Sequence, residues 1–136
     1  MNTDNSMKVD IYINYPGNCQ KAFQFYEQHL GGKIMMMTTH QQIPPNFPKE
    51  WENPIPHARM ELGNVLLMGA DIPNTEPMRS AYLTIRLDSP QKAEQVYTLL
   101  SSEGQIFMPL EKTFFANRFG MLRDKFGTSW MILNEQ

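Results

Sequence analysis

Apolar and polar residues alternate near the start of the chain, and this alternation predicts a strand. Residues 8–15 read KVDIYINY. One face of this segment holds Val9, Ile11, Ile13 and Tyr15, and the other holds Asp10, Tyr12 and Asn14. A period of two is typical of a strand with one buried face. Similar patterns predict strands at residues 33–39, 57–62, 65–68, 81–87, 105–108, 118–123 and 129–133.

Two segments have the spacing of amphipathic helices. The first, Cys19–Leu30, follows Asn18, a residue type that caps helix N-termini, and precedes Gly31-Gly32, which ends it. The second begins at Asp88-Ser89-Pro90 and runs to about Ser102, since aspartate and serine are good caps and proline fits the first helical turn. We therefore predict one helix in each half of the chain.

A proline-rich segment separates two of the predicted strands. Residues 41–56 contain five of the ten prolines of the chain, together with Phe47 and Trp51. This density is incompatible with regular structure and predicts a long loop. The loop is either a lid over a ligand site or an element of a dimer, and the sequence leaves both open. Residues 71–80 are predicted to be a linker.

The chain contains an internal repeat. Residues 20–26 (QKAFQFY) and 91–97 (QKAEQVY) share five of seven residues at an offset of 71. Each copy lies in the order strand, helix, strand, strand, strand, which favours duplication. We predict an α+β fold in which two βαβββ modules, at about 8–71 and 80–134, form one domain over residues 1–136. The eight strands are expected to form a cupped, incomplete barrel-like sheet with the helices outside.

Composition and charge exclude several classes of function. The 136 residues carry a net charge of −2, and no cluster of basic residues points to nucleic acid or an anionic membrane as a partner. Cys19 is the only cysteine, so neither an internal disulfide nor a cysteine-built metal site is possible. No apolar run is long enough to span a membrane. Residues 1–6 lack the pattern of a signal peptide, and we expect a cytoplasmic protein.

The polar faces of the two first strands are candidate ligand-binding surfaces. Tyr12 and Asn14 lie on the polar face of the first strand of module one, and Tyr82 lies on that of the first strand of module two. If the modules curl towards each other, these faces line a shared cleft, which is the usual place for a small-molecule site. His57 is a candidate general base in that cleft, with Glu61 or Asp71 as its partner.

Two further residues have alternative interpretations. Cys19 at a helix N-terminus is either a small core residue or an activated nucleophile. Arg118 either pairs with a ligand carboxylate or phosphate or is a surface charge, and Phe115 either packs on a flat ligand or closes the end of the sheet. The chain has no nucleophile elbow, Walker loop or dinucleotide fingerprint.

Several motifs carry a resemblance to a known family. They are Gly17-Asn18-Cys19 followed by AFQFY at 22–26, LGG at 30–32, His57-Ala58 before Leu66-Leu67-Met68, TFFANRFGM at 113–121 and DKFGTSWMI at 124–132. With these motifs the chain resembles the PhnB-like branch of the vicinal oxygen chelate superfamily, which includes glyoxalases, extradiol dioxygenases and bleomycin-resistance proteins. The resemblance covers about residues 8–134 and implies paired βαβββ modules and a homodimer.

The resemblance also indicates where a metal ion would bind. Metal-dependent members hold one divalent ion with His or Glu side chains from four strands. The matching positions here are Ile11 or Tyr12, Met68, Tyr82 and Met131, none of which is a histidine or a carboxylate. Divalent ions such as Zn²⁺ and Mg²⁺ need imidazole, carboxylate or other oxygen ligands. We therefore expect no metal and no cofactor.

We expect a metal-free protein that binds a small apolar or aromatic molecule with one anionic or hydrogen-bonding group. The predicted ligand-binding residues are Tyr12, Asn14, His57, Tyr82, Phe115 and Arg118. The alternatives are a metal-independent lyase or isomerase with His57 as base, a demethylubiquinone methyltransferase of the type suggested by the family label, and a scaffold whose cleft is filled by its own methionines. The absence of a glycine-rich strand–helix turn argues against the methyltransferase.

Overall fold

The computed structural model describes residues 6–136, and the chain divides into two compact units between Thr75 and Glu76. The first unit contains β1 (Ile11–Tyr15), α1 (Cys19–Leu30), β2 (Lys33–Met37), β3 (Ala58–Leu62) and β4 (Val65–Asp71). The second contains β5 (Leu83–Arg86), α2 (Pro90–Ser101), β6 (Gln105–Glu111), β7 (Ala116–Arg123) and β8 (Ser129–Glu135). The division falls in the segment that the sequence predicts to be a linker.

The first unit is a four-stranded sheet with one helix on one face. Its strand order is β1-β4-β3-β2, with β1 parallel to β4 and the other pairs antiparallel. The helix contacts β2, β3 and β4. A side chain at Gly69 would meet the rings of Phe23 and Tyr15, so this glycine lets the helix lie close to the sheet. The core residues of this unit are Ile13, Tyr15, Cys19, Ala22, Phe23, Tyr26, Ile55, Ala58, Met60, Leu67 and Ala70.

The second unit repeats this arrangement. Its strand order is β5-β8-β7-β6, again with one parallel pair, β5 with β8. The helix α2 contacts β6, β7 and β8, and Tyr97 lies against Gly120 of β7. Because α1 begins at Cys19 and α2 at Pro90, the offset of 71 seen in the sequence holds for the helices. The matching element order and strand pairing support duplication.

The α+β fold of two βαβββ modules is confirmed, and the structure adds one difference in the sheet. Over residues 6–136 the strands form two separate four-stranded sheets, and these are not closed into a barrel. Strand bounds also differ in places. Strand β1 begins at Ile11, and Val9 precedes it with 87% of its surface exposed. Asp71 is the last residue of β4 and is buried, so it does not belong to the linker.

The proline-rich segment contains neither helix nor strand, and its last part packs against the first unit. Ile55 is fully buried, and its backbone exchanges hydrogen bonds with Asp71. The Trp51 ring lies against Gly17, whose φ of 98° places it in the left-handed region. The long loop is thus confirmed, and its role as a lid or a dimer element stays a prediction.

No helix within residues 6–136 has the length and hydropathy needed to cross a membrane. Most of the N-terminal segment from which the sequence predicts a cytoplasmic protein, residues 1–5, lies outside the described residues.

Candidate functional site

A chain of hydrogen bonds on the first sheet joins the side chains of Tyr12, His57 and Arg59. These side chains lie on the far face of the sheet, defined here as the face opposite α1. The far face carries Tyr12, Asn14, Met36, His57, Arg59 and Met68. Strand alternation puts Tyr12 and Asn14 of β1 on this face, because Ile13 and Tyr15 between and beside them are buried towards the helix. His57 and Arg59 share the face for the same reason, since buried Ala58 separates them.

The direction of these hydrogen bonds follows from the chemistry of Arg59. Arg59 Nε, which can only donate, lies 3.2 Å from His57 Nε2. His57 Nε2 is therefore the unprotonated nitrogen, and Nδ1 carries the proton of the neutral ring. His57 Nδ1 lies 3.3 Å from Tyr12 Oη, so it donates to that oxygen. The two rings are tilted, with centroids 5.8 Å apart.

The two ends of this chain of hydrogen bonds, Tyr12 and Arg59, can donate further hydrogen bonds. Burial raises the pKa of Tyr12, so its hydroxyl is protonated at neutral pH. Because the Tyr12 oxygen accepts from His57, the hydroxyl proton can be donated to a ligand. Arg59 has further N–H groups beyond the one that bonds His57. Met68 pairs with Tyr12 on one side and with Arg59 on the other. The face therefore combines an apolar centre with donors at its sides.

The predicted partners of His57 are not the ones it contacts. Among the described residues, His57 bonds Tyr12 and Arg59 through its side chain, whereas Glu61 and Asp71 do not bond it. Asp71 lies on the helix side of β4, where strand alternation keeps it away from His57. Sequence reasoning missed Arg59, and the signal that could have found it is its two-residue spacing from His57 in a predicted strand.

The remaining predicted ligand-binding residues lie in the second unit. Tyr82 precedes β5 and accepts a hydrogen bond from Arg79 at 3.0 Å. Phe115 lies between β6 and β7 and packs edge-on against Phe114 and Phe119, with centroids 5.1 Å apart in each case. That Phe115 binds a ligand, and that Tyr12, Asn14 and Tyr82 line one cleft, stay predictions.

Arg118 is paired with groups of the second unit. Its partner in the sheet is the buried Asn134, on the face that α2 covers. Its Nε lies 3.0 Å from Glu94 Oε1 of α2, and its Nη1 donates to the Asn117 carbonyl at 2.7 Å. The guanidinium already has a carboxylate partner, which favours the surface charge, and that Arg118 binds a ligand stays a prediction.

The N-terminus of α1 is capped by a side chain that is distant in sequence. Asn18 was predicted to cap this helix, but it makes no capping bond, and its Oδ1 is buried without a partner. The Asp71 carboxylate instead accepts from the backbone N–H groups of Gly17 at 3.0 Å, Cys19 at 2.9 Å and Ile55 at 2.8 Å. Burial raises the pKa of Asp71, and these donors and the charge of His40 oppose that rise.

Cys19 has the properties of a core residue. Its side chain is fully buried, and burial together with the nearby Asp71 carboxylate raises the pKa of the thiol far above its ordinary range. Because the thiolate is the reactive form of cysteine, this thiol is not an activated nucleophile. Of its two interpretations, the small core residue fits the structure.

The positions that correspond to a superfamily metal site do not suit a hard divalent ion. Tyr12 and Met68 are direct neighbours in the first sheet, and Arg59, a cation, pairs with Met68 on its other side. In the second sheet the position is held by Met131, paired with Thr84. Thioethers favour soft metals such as Cu(I). Throughout the described part of the chain, no group of three or more His, Cys, Asp or Glu residues is arranged to hold a metal ion.

Comparisons with known proteins agree with this architecture. The family model described as Glyoxalase/Bleomycin resistance protein/Dioxygenase superfamily matches residues 9–132. Protein YjdN of Escherichia coli (strain K12) is 30% identical over 138 residues, which cover 93% of this chain and 94% of that protein.

Two solved structures have the same fold. The crystal structure of protein PA1353 from Pseudomonas aeruginosa has a TM-score of 0.81 and 36% identity, and the match covers 96% of this chain and 98% of that one. The PhnB protein from Bacillus cereus has a TM-score of 0.82 over 94% of this chain and 99% of its own. Its identity of 23% makes it a likeness of fold alone.

Proposed function

Because this chain belongs to the Glyoxalase/Bleomycin resistance protein/Dioxygenase superfamily, we propose that it is a PhnB-like small-molecule binding protein that works without a metal ion. The observation that carries the proposal is the chain of hydrogen bonds from Arg59 through His57 to Tyr12 on the far face of the first sheet. These hydrogen bonds leave donors of Tyr12 and Arg59 on either side of Met68. The donors of Arg59 and Tyr12 select a ligand group that accepts hydrogen bonds.

The chemistry of the far face indicates the class of ligand. Tyr12 is 48% exposed and Met36 is 41% exposed, so an aromatic ring and a thioether are available for apolar contact. Arg59 supplies one positive charge, and no described carboxylate forms an ion pair with it. These features favour a small apolar or aromatic molecule with a single negative charge, such as an aromatic carboxylate. Asn14, exposed on the same face, adds an amide.

The enzymatic alternative with His57 as base has less support. A general base needs an unprotonated nitrogen that is free to take the substrate proton. In His57, Nε2 accepts from Arg59 and Nδ1 donates to Tyr12, so neither nitrogen has that freedom. Turnover of a bound compound that is lost in His57→Gln would favour the enzyme.

The methyltransferase alternative also has less support. A 3-demethylubiquinone-9 3-methyltransferase activity has been suggested for the Bacillus cereus neighbour, whose likeness to this chain is one of fold. A nucleotide-like methyl donor is commonly held by backbone N–H groups at a strand–helix turn. In the β1–α1 turn, the N–H groups of Gly17 and Cys19 already bond the Asp71 carboxylate.

The proposal is tested by comparing a charged probe with its neutral isostere. Benzoate and cinnamate are titrated into the protein alongside benzamide and cinnamamide, with melting temperature and calorimetry as readouts. We expect the carboxylates to raise the melting temperature, because a ligand at 100 times its Kd adds about 2.7 kcal/mol to the free energy of unfolding. Arg59→Gln is expected to weaken carboxylate binding about tenfold, the equivalent of one charge-assisted hydrogen bond.

Arg86→Gln is the matched control, because Arg86 is an exposed arginine of the other unit that pairs at 3.9 Å with Glu135. It is expected to leave carboxylate affinity unchanged. The proposal fails if no carboxylate binds, or if the amides bind as tightly as the acids. Native mass spectrometry of the same sample also reports whether the chain is a homodimer, which we propose from the resemblance and from the unpaired edges of the two sheets.

A further inference from the structure

Two arginines of the second unit converge on a single aromatic ring. The guanidinium carbon of Arg79 lies 4.0 Å from the centre of the Phe107 ring, and that of Arg123 lies 5.4 Å from it. Both distances are within the range of cation–π contacts. The three residues come from separate parts of the chain: the segment before β5, strand β6 and the end of β7. Tertiary structure therefore brings two positive charges to the same aromatic ring.

Neutral groups hold both guanidinium groups in place. Arg79 Nη1 donates to Tyr82 Oη at 3.0 Å. Arg123 Nη1 donates to the Met78 carbonyl at 3.3 Å, and its Nη2 donates to Gln105 Oε1 at 2.9 Å. Since a guanidinium has five N–H groups, each arginine keeps several donors that these bonds do not use.

Neither arginine has a carboxylate partner in the described part of the chain. The ion pairs found there use Arg86, Lys92, Arg118 and Lys125. Asp124 follows Arg123 directly, but its carboxylate accepts from Trp130 Nε1 at 2.8 Å and from the Phe126 and Thr128 backbones. Two positive charges that contact the same ring and have no carboxylate partner favour a bound anion.

We infer that Arg79, Arg123 and Tyr82 form a binding site for a dianionic phosphoryl group, such as that of a phosphate monoester. Two positive charges match a group with a charge of about −1.5 to −2 at neutral pH better than they match a monoanion. Arginine suits this role because its planar fork can pair with two phosphate oxygens. Tyr82 accepts from Arg79, so its own proton is available for a further oxygen.

This inference goes beyond the function proposed above and does not depend on it. The site on the first sheet has one cation, Arg59, and all its residues belong to the first unit, whereas Arg79, Tyr82 and Arg123 belong to the second. Loss of carboxylate binding in Arg59→Gln therefore leaves phosphate binding intact if both proposals hold, and either proposal can fail alone.

The test compares a dianion with a monoanion at constant ionic strength. Phenyl phosphate and inorganic phosphate are titrated by calorimetry into Arg59→Gln, with benzoate as the monoanionic probe, because the wild type is expected to bind benzoate through Arg59. We expect both phosphates to bind, and Arg79→Gln and Arg123→Gln each to weaken their binding about tenfold or more. Arg86→Gln, which changes an exposed arginine of the same sheet, is expected to change the affinity less than about twofold.

Amide chemical shifts of the wild-type protein give a readout that does not depend on a variant folding. Phosphate is expected to shift the amides of Arg79, Tyr82, Phe107 and Arg123. The inference is overturned if phosphate does not bind, if the shifts lie elsewhere, or if Arg86→Gln weakens binding as much as Arg79→Gln. It is also overturned if Arg59→Gln alone abolishes phosphate binding.

Discussion

Cys19 shows how burial decides the chemistry of a single residue. A thiol at the start of a helix is often acidified by the helix dipole. Here the buried Asp71 carboxylate accepts from the Cys19 backbone N–H, and burial with the negative charge raises the pKa of the thiol. The same helix position that suggests reactivity in the sequence therefore holds a protonated core residue.

This raised pKa predicts a pH dependence of stability. Below about pH 8.5 the Cys19 thiol is protonated in both the folded and the unfolded chain. Above that pH the unfolded thiol ionises while the folded one keeps its proton, so the free energy of unfolding falls as pH rises. The fall attributable to Cys19 approaches about 1.4 kcal/mol per pH unit.

The measurement is urea unfolding of the wild type and Cys19→Ala between pH 7.5 and 10. Other groups titrate equally in both proteins, so the difference between the two curves isolates the thiol. A difference that stays constant across this range contradicts the prediction, as does rapid labelling of the folded protein by a thiol reagent.

At the scale of elements, the two helices occupy equivalent places but begin in different ways. Ser89 caps α2 locally, accepting from the Lys92 backbone N–H at 3.1 Å. In α1 the capping group is Asp71, more than fifty residues away in sequence at the end of β4. The same carboxylate also anchors Ile55 at the end of the proline-rich segment. One side chain thus connects a strand, a helix and a loop.

This difference predicts a ranking of three substitutions. Asp71→Asn is expected to lower the free energy of unfolding by about 2–3 kcal/mol. Both carboxylate oxygens of Asp71 accept from backbone N–H groups, and in asparagine one of these oxygens is replaced by an NH₂ group that cannot accept. Ser89→Ala is expected to cost about 1 kcal/mol, the usual value of a lost cap. Asn18→Ala is expected to change stability by less than about 0.5 kcal/mol, since its side chain makes no capping bond.

Urea unfolding at neutral pH measures all three. Asp88→Asn is the matched control for Asp71→Asn, because Asp88 is exposed and only pairs with Lys92 at 3.0 Å on the surface. The interpretation of Asp71 is wrong if Asp71→Asn is no more destabilising than Asp88→Asn.

At the scale of the whole molecule, both units keep the family's fold while the side chains on their sheets differ from a metal-binding set. Met68 and Met131 occupy equivalent fourth strands, β4 and β8, of the two modules. In the first unit a cation, Arg59, lies next to the thioether. The backbone architecture therefore does not by itself specify a metal site.

We predict that the purified protein carries no stoichiometric Zn²⁺, Mn²⁺ or Ni²⁺. Elemental analysis of protein made without a histidine tag is expected to find less than about one-tenth of an ion per chain, and added metal is expected to leave the melting temperature unchanged. One tightly held divalent ion per chain would contradict this prediction and the metal-free function with it.

The sequence alone determined the parts of the protein that depend on local patterns. Local patterns located the eight strands of the described residues, helical spacing predicted α1 and α2, and Asp88-Ser89-Pro90 marked the start of α2, where the structure shows Ser89 as the cap. These features are local because period and capping act over a few residues. The duplication and the unsuitable residues at the metal positions were also readable, since neither needs a distance in space.

Only the tertiary structure decided which polar groups meet. Asp71 caps a helix far from it in sequence, Arg59 orders His57 and Tyr12, and Arg118 pairs with Glu94. Each contact joins side chains whose separation along the chain says nothing about their distance in space. The physical reason is that strand pairing and helix packing fix these neighbours, and the energy of a polar contact depends on the partner and burial that folding provides.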